Sequence, residues 1–240
     1  MLSAFPHFER ITLDSGPVEH IDKLLELQRT RLTPFFYDGP CRTLGRWSIQ
    51  KFTVPKYSLG AIRHVRDGGR GMAPGSYHRL VRTNDDGTKT LVMSDTPAEM
   101  IDFLASDLRH AHGRILIAGL GMGLAVKALL MLRNVSHIDV VEIDHELISL
   151  VGPQFAGDAR VTIHEHDIFT YTIPRGTTYA WAWYDIWDTI DDDNLVEMKR
   201  LRKRFVRNVA AVSPGQRTRQ VCWAEAECRK MKARIDPRHW

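Results

Sequence analysis

Hydrophobic spacing along the chain changes character near residue 95. Before that point, apolar residues at helical spacing over Val18–Leu32 predict an amphipathic helix. Short runs of β-branched and aromatic residues follow, separated by glycine and proline, and such runs indicate strands. They cover Trp47–Val54, Ala61–Val65, Tyr77–Thr83 and Thr90–Ser94. Residues 1–95 are therefore predicted to form a helix and a small antiparallel β lobe.

Beyond residue 95, strand-like and helix-like segments alternate. Thr96 and Glu99 have the spacing of a capping box, which predicts a helix start, and Gly113 suits the end of that helix. Strands are predicted at Arg114–Ala118, His137–Ile143, Val161–His164 and Tyr179–Ile186, with helices near Gly123–Arg133, His145–Val151 and Asp193–Arg207. This alternation predicts an α/β domain over residues 96–240, a Rossmann-like, mostly parallel sheet with helices on both faces.

After Pro214 the sequence shows no convincing pair of strands, and Gln220–Ile235 is predicted to be helical. We therefore expect a sheet truncated at its C-terminal part and a basic helical tail.

Composition places the chain in a reducing compartment. The cysteines Cys41, Cys222 and Cys228 form no CxxC pair. The chain is long enough to bury a core without disulfides or metals. The N-terminus lacks a signal-peptide pattern, and no apolar run is long enough to span a bilayer. The expected location is the cytoplasm.

Positive charge is concentrated toward the C-terminal end of a chain whose net charge is only +4. Basic residues crowd the segment Lys199–Arg207, and the excess continues to Arg234. A solvated helix face is the favoured interpretation, because no aromatic platform or groove-reading motif accompanies the charges. Attachment to nucleic acid or to an acidic protein stays open.

A glycine loop follows the first strand of the predicted parallel sheet. The buried run Ile115–Ala118 leads into Gly119, Gly121 and Gly123, and a helix follows. Open parallel sheets bind ligands outside the carboxyl ends of their strands, and glycine allows the backbone to approach a ligand closely. The three glycines are predicted to contact a cofactor; a structural turn is the alternative.

An acidic residue, Glu142, ends the next strand, where a carboxylate can accept hydrogen bonds from ribose hydroxyls. The NAD fingerprint GxGxxG/A fails, because Leu124 and Val126 stand where it requires glycine or alanine. The pattern therefore favours S-adenosylmethionine. Asp144 is predicted to cap the following helix.

The third feature is a polar segment that follows the strand ending at His164. Asp167 is placed to accept a hydrogen bond from an adenine amino group, with Ile168 and Phe169 available to line the ring. The His164-x-His166 pattern also suggests a metal, but no third ligand follows and strand alternation explains the spacing, so no metal is expected.

The fourth feature is the strand end Asp185-Ile186-Trp187-Asp188. Transfer of an alkyl group from a sulfonium to an amine is an in-line displacement, which needs an aligned nucleophile and a base. Asp185 and Asp188 are the predicted catalytic residues. Capping of the next helix is the alternative for Asp188 and Asp191.

These features resemble the class I S-adenosylmethionine-dependent methyltransferase superfamily and, within it, the spermidine-synthase-like branch, over about Thr90–Met198. Asp185 and Asp188 look like that branch's Asp-x-x-Asp motif, whose first aspartate is the base and whose second holds the polyamine. The resemblance implies that Glu142 binds ribose and Asp167 binds adenine.

The chain departs from spermidine synthases at several positions. Met122 replaces an acidic residue of the glycine loop, and Ile186-Trp187 replaces a serine pair. The resemblance therefore implies a methyltransferase whose small-molecule acceptor, an amine among the candidates, is open. The alternatives are an aminopropyltransferase using decarboxylated S-adenosylmethionine, a non-catalytic scaffold module, and destruction of S-adenosylmethionine without an acceptor. The oligomeric state, including a homo-oligomer, stays open.

Overall fold

The chain folds into two compact units. One contains Met1–His110 with Gly121–Met131, and the other contains Ala111–Leu120 with Leu132–Trp240. The structure is a computed structural model and describes residues 17–27, 35–56, 58–59, 62, 72–97, 99–100, 103, 111–209 and 220–235. The division of the chain into domains at residue 95 stays a prediction. None of the described helices has the length and apolar character that crossing a bilayer requires.

The first unit contains an antiparallel meander, as predicted. Its elements are α1 (Pro17–Leu27), β1 (Thr43–Leu44), β2 (Trp47–Val54), β3 (Gly75–Thr83), β4 (Lys89–Ser94) and α2 (Leu124–Leu130). The strands lie in the order β1-β2-β3-β4. A turn at Gly87, whose φ is +80°, joins β3 to β4. β1 was not predicted, because two exposed residues produce no periodic pattern.

Two predictions in this unit fall partly on residues that the structure does not describe. α1 is described to Leu27, and the rest of the predicted helix lies outside the described residues. Of the predicted strand Ala61–Val65, only Ile62 is described. It is not extended: its backbone N–H donates to Ser58 O at 3.1 Å, an i to i−4 bond typical of a helix. The strand prediction is therefore wrong at this residue.

The capping box after β4 forms in a modified way. Thr96 O accepts the backbone N–H groups of Glu99 and Met100 at 3.1 Å, so a helix begins at the predicted place. The Glu99 carboxylate accepts the backbone N–H of Ser94 at 2.5 Å, two residues before the expected partner Thr96. Most of this helix lies outside the described residues.

The second unit is built on a parallel sheet. Its strands are β5 (Gly113–Ala118), β6 (Val135–Glu142), β7 (Val161–Glu165), β8 (Trp181–Tyr184) and β9 (Gln220–Cys222). They lie in the order β7-β6-β5-β8-β9, with every described pair parallel. This is the Rossmann strand order, in which strands are added first on one side of β5 and then on the other. The predicted Rossmann-like α/β fold is confirmed.

Helices cover both faces of this sheet: α3 (His145–Val151), α4 (Asn194–Phe205) and α5 (Glu225–Ile235). On one face, Leu201 and Phe205 of α4 share a core cluster with Leu116 and Ala182. α3 lies on the opposite face, because a Cβ at Gly152, the residue after α3, would lie 3.2 Å from Ile163. Ile163 points away from the α4 face, since side chains alternate along a strand.

The C-terminal segment corrects the sequence prediction. Its first residues, Gln220–Cys222, form β9 beside β8, and only Glu225–Ile235 is helical. Gln220 is buried, and its side-chain oxygen accepts the Tyr184 hydroxyl at 2.7 Å. A strand of three residues is too short to show alternation, so the sequence pattern missed it.

A buried carboxylate, Asp139, joins β5, β6 and β7 on the α4 face. It is 1% exposed and accepts two hydrogen bonds from Arg114, at 2.5 and 2.9 Å, and one from His164 Nε2 at 2.8 Å. Burial alone would raise the pKa of Asp139, but the hydrogen bonds from Arg114 and His164 outweigh burial and hold it below 3.8. The ionised carboxylate therefore stabilises the fold.

We predict that Asp139→Asn lowers the free energy of unfolding at pH 7 by about 2–4 kcal/mol, because Arg114 loses its buried partner. Urea unfolding measures this change. A folded-state pKa below the unfolded value gives stability above that value, which is lost as the pH falls through the folded-state pKa. The difference between variant and wild type should therefore shrink below pH 3.8.

Asp158→Asn is the matched control, because its carboxylate pairs with Arg160 at the surface. It should change the free energy of unfolding little. An Asp139→Asn protein as stable as this control would contradict the assigned role of Asp139.

Candidate functional site

β5 and β8 end with their backbones in contact at Gly119 and Asp185. Gly119 has φ +93°, and a Cβ there would lie 1.9 Å from the carbonyl oxygen of Asp185. The N–H of Asp185 donates to Ala118 O and that of Gly119 to Val141 O, both at 2.9 Å. Glycine is therefore required at residue 119 by the packing of the protein itself, independently of any ligand.

Gly121 and Gly123 belong to the first compact unit, and both have positive φ, +52° and +78°. A Cβ at Gly121 would meet Met93 Sδ at 2.5 Å. The Met122 N–H donates to the same sulfur at 3.2 Å. Gly123 precedes α2 in the left-handed conformation, with no side-chain cap. Backbone conformation thus accounts for these glycines, and their contact with a cofactor stays a prediction.

Glu142 holds the glycine loop against the end of β6. Its Oε2 accepts the backbone N–H of Leu120 at 2.8 Å, and its Oε1 accepts that of Asp144 at 2.9 Å. The residue is 8% exposed. Burial raises the pKa of Glu142 above 4.5, although these backbone hydrogen bonds partly offset the effect. A carboxylate oxygen accepts more than one hydrogen bond, so each oxygen retains capacity for a ligand hydroxyl.

The residues after Glu142 have different roles. Asp144 caps α3, as predicted: its Oδ1 accepts the N–H groups of Glu146 and Leu147 at 3.0 and 3.1 Å. Ile143, between the two acids, is 68% exposed. The sequence pattern placed Ile143 in the strand, but the strand ends at Glu142.

Asp167 begins a turn directly after β7. Its Oδ1 accepts the N–H of Phe169 at 2.8 Å, and its backbone oxygen accepts those of Thr170 and Tyr171 at 3.0 and 2.8 Å. The turn uses Oδ1, and the Asp167 residue is partly exposed. Ile168 is 5% exposed and packs in the core cluster with Tyr171, and its contact with a ligand ring stays a prediction.

The two histidines near Asp167 have separate partners. His164 binds Asp139, and the exposed His166 has Nδ1 3.0 Å from Asp167 O. Among the described residues, the ligand atoms of Asp191, Asp192 and Asp193 lie within 4.8 Å of one another. Asp191 Oδ1 accepts the Asp193 N–H at 2.9 Å, so this group forms the turn before α4. We assign no metal to it.

The Asp185–Asp188 segment connects β8 to α4. Ile186 and Trp187 pack against the core cluster, and the indole N–H of Trp187 donates to Glu197 of α4 at 2.7 Å. Asp185 and Asp188 are both partly exposed. Asp191 forms a turn ahead of α4, while the N-cap residue Asp193 makes no side-chain capping bond. The segment is therefore held by its apolar residues.

Four predicted site residues of the second unit lie at one edge of the sheet. Gly119, Glu142, Asp167 and Asp185 follow or end the adjacent strands β5, β6, β7 and β8. The backbone N–H of His166 donates to the backbone oxygen of Glu142 at 2.8 Å, and this bond joins the ends of β6 and β7. This is the carboxyl edge, where open parallel sheets bind ligands.

Comparison with known proteins gives only remote similarities. No protein-family model and no characterised protein matches the sequence. Among solved structures, the chain is similar to the N-methyltransferase NodS of Bradyrhizobium japonicum WM9 with bound S-adenosyl-l-homocysteine. The identity is 14% and the TM-score 0.40, covering 54% of this chain and 63% of that one.

Two further structures are similar to a lesser extent. For a SAM-dependent methyltransferase from Leishmania major, the identity is 23% and the TM-score 0.33, over 42% of this chain and 39% of that one. For the plantazolicin methyltransferase BpumL with bound SAH, the identity is 11% and the TM-score 0.34, over 45% of this chain and 41% of that one. The chain spans less than two thirds of each of these three structures. Similarities this low say nothing of its activity.

We predict that Gly119→Ala lowers the free energy of unfolding by about 3 kcal/mol or more, because the new methyl group collides with the Asp185 backbone. Gly121→Ala is the matched variant: it also adds a methyl group at positive φ, but meets only the end of a flexible methionine. Its cost should be about 1–2 kcal/mol. Urea unfolding of both variants measures the difference, and equal losses would contradict the contact.

Proposed function

We propose that the carboxyl edge of the parallel sheet binds the adenosyl part of S-adenosylmethionine and that the protein is a methyltransferase. One observation carries the proposal: the buried carboxylate of Glu142 ends the strand next to β5, which Gly119 follows, in a sheet of Rossmann order. Such a carboxylate binds the ribose hydroxyls of a nucleoside cofactor. The failed GxGxxG/A fingerprint favours S-adenosylmethionine over NAD.

The residues at this edge fit an adenosyl group. Glu142 accepts the ribose hydroxyls through its remaining lone pairs, and the exposed side chain of Ile143 offers an apolar surface to the adenine ring. Asp167 Oδ2 accepts a hydrogen bond from the adenine amino group. Gly119, directly after β5, is proposed to contact the cofactor through its backbone.

Asp185 is the proposed catalytic residue. The bound sulfonium supplies an activated methyl group, so the protein needs to orient the acceptor and remove its proton. Asp185 follows β8, the strand paired with β5, at the same carboxyl edge that is proposed to hold the cofactor. A carboxylate there orients an amine and holds its proton, and Asp188 attracts the cationic group of such an acceptor.

The spermidine-synthase-like branch is part of the proposal. Asp185 and Asp188 have the spacing of that branch's paired aspartates, and the first unit contains a small antiparallel sheet. Met122 lacks the negative charge that helps receive the amine of a decarboxylated cofactor, which favours methyl over aminopropyl transfer. The sheet also continues into β9, beyond the truncation that the sequence predicted.

We predict that calorimetric titration detects binding of S-adenosylmethionine and S-adenosylhomocysteine and little binding of NAD. Glu142→Gln should weaken both affinities roughly 10- to 100-fold, because the amide nitrogen cannot accept a ribose hydroxyl hydrogen bond. Asp144→Asn is the matched control: Asp144 caps a helix, and an asparagine oxygen also accepts the capping N–H groups.

The ligand panel separates the alternatives. A preference for decarboxylated S-adenosylmethionine and methylthioadenosine would replace methyl transfer by aminopropyl transfer. Binding of none of these ligands by a folded protein would contradict the proposed function. An unchanged affinity in Glu142→Gln would place the cofactor elsewhere.

We predict that Asp185→Asn abolishes methyl transfer and leaves the affinity for S-adenosylhomocysteine within about twofold, because the residue acts on the acceptor and not on the adenosyl group. Transfer of a radiolabelled methyl group to a panel of di- and polyamines measures activity, and titration measures affinity. Asp191→Asn, in the neighbouring turn, is the control. Full activity in Asp185→Asn would remove its catalytic role.

A further inference from the structure

The outward face of α4 presents a row of cations. Lys199, Arg200, Lys203 and Arg207, the last just beyond the helix, are exposed. The opposite side of the helix is buried in the core through Met198, Leu201 and Phe205. Arg207 comes eight positions after Lys199, which corresponds to about 12 Å along a helix axis. We call these four residues the α4 cationic row.

The spacing within the row is unfavourable for an isolated helix. Lys199 and Lys203, and likewise Lys203 and Arg207, are four residues apart, and each like-charged pair at this spacing costs roughly 0.2–0.5 kcal/mol. None of the four cations forms an ion pair in the part of the chain that the structure describes.

The acidic residues near α4 have other partners. Glu225 of α5 pairs with Arg202, which lies outside the row, and with Arg229 at 2.7 Å. Glu197, in the first turn of α4, accepts the indole N–H of Trp187 at 2.7 Å. The charge of the α4 cationic row is therefore not balanced by these residues.

Aromatic and backbone groups orient the guanidinium groups along this helix. The guanidinium carbon of Arg200 lies 4.5 Å from the ring centroid of Phe169. Arg204, beside the row, donates to Tyr171 O at 2.8 Å. An arginine held in this way loses less conformational freedom when it binds an anion, and its planar donors suit phosphate oxygens.

From these observations we propose that the α4 cationic row binds the phosphate backbone of a nucleic acid. A row of exposed, like-charged side chains matches a polymer with regularly spaced negative charges, and their neutralisation releases counterions. A membrane surface does not fit, because the exposed apolar residues of this face, Val196 and Val206, stand singly and form no apolar stripe. The proposal concerns binding and does not depend on the proposed methyl transfer.

Fluorescence anisotropy tests the proposal with two labelled probes, a single-stranded RNA of about 20 nucleotides and a DNA duplex of about 20 base pairs. Binding is measured without cofactor, between roughly 50 and 200 mM salt. Wild-type affinity should fall steeply with salt. Lys203→Glu should weaken binding roughly tenfold at about 0.1 M salt and lower the salt slope by about 1. The new glutamate gains favourable pairs with Lys199 and Arg207 but loses the favourable position of Lys203 in the last turn of α4. The variant should therefore unfold in urea within about 1 kcal/mol of wild type.

Lys89→Glu is the matched control, since it makes the same charge change at an exposed residue of β4 in the first unit. It should leave nucleic-acid affinity nearly unchanged. Three results would overturn the proposal: no binding by the wild type, equal binding by wild type and Lys203→Glu, or an equal loss in Lys89→Glu. Binding of polyglutamate but not of RNA or DNA would also overturn it, in favour of an acidic protein partner.

Discussion

The contact between the backbones of Gly119 and Asp185 is the constraint on which the candidate site depends. With only hydrogen on the α-carbon of Gly119, β8 ends directly beside β5, and Asp185 follows the strand at that level. Any side chain at residue 119 would push the end of β8 away. The first glycine of the loop therefore positions the Asp185 carboxylate, and this packing requirement joins the fold to the proposed chemistry.

Glu142 adds a second constraint at the same edge. Taking an ionisable group out of water is unfavourable, and the raised pKa of Glu142 reflects this cost. The backbone N–H groups of Leu120 and Asp144 offset part of it and fix the carboxylate in place. A ligand hydroxyl would meet an acceptor that is already oriented, so little further ordering is needed on binding.

Sequence patterns were most informative where a segment is long or has a distinctive residue at its end. Alternation of strands and helices predicted the parallel sheet, and α3 begins and ends where the pattern placed it, with Asp144 as its cap. β1 and β9 were missed because strands of two or three residues have no measurable period. Side-chain contacts, such as Glu142 with Leu120 or Met93 with Gly121, join residues distant in sequence, and no local pattern predicts them.

A crystal structure of the protein with S-adenosylhomocysteine shows directly whether the carboxyl edge binds an adenosyl cofactor. We expect the ribose hydroxyls to lie within hydrogen-bond distance of Glu142 and the adenine amino group to face Asp167. An adenosyl group bound away from the ends of β5, β6 and β7, with Glu142 contacting only Leu120 and Asp144, would contradict this expectation.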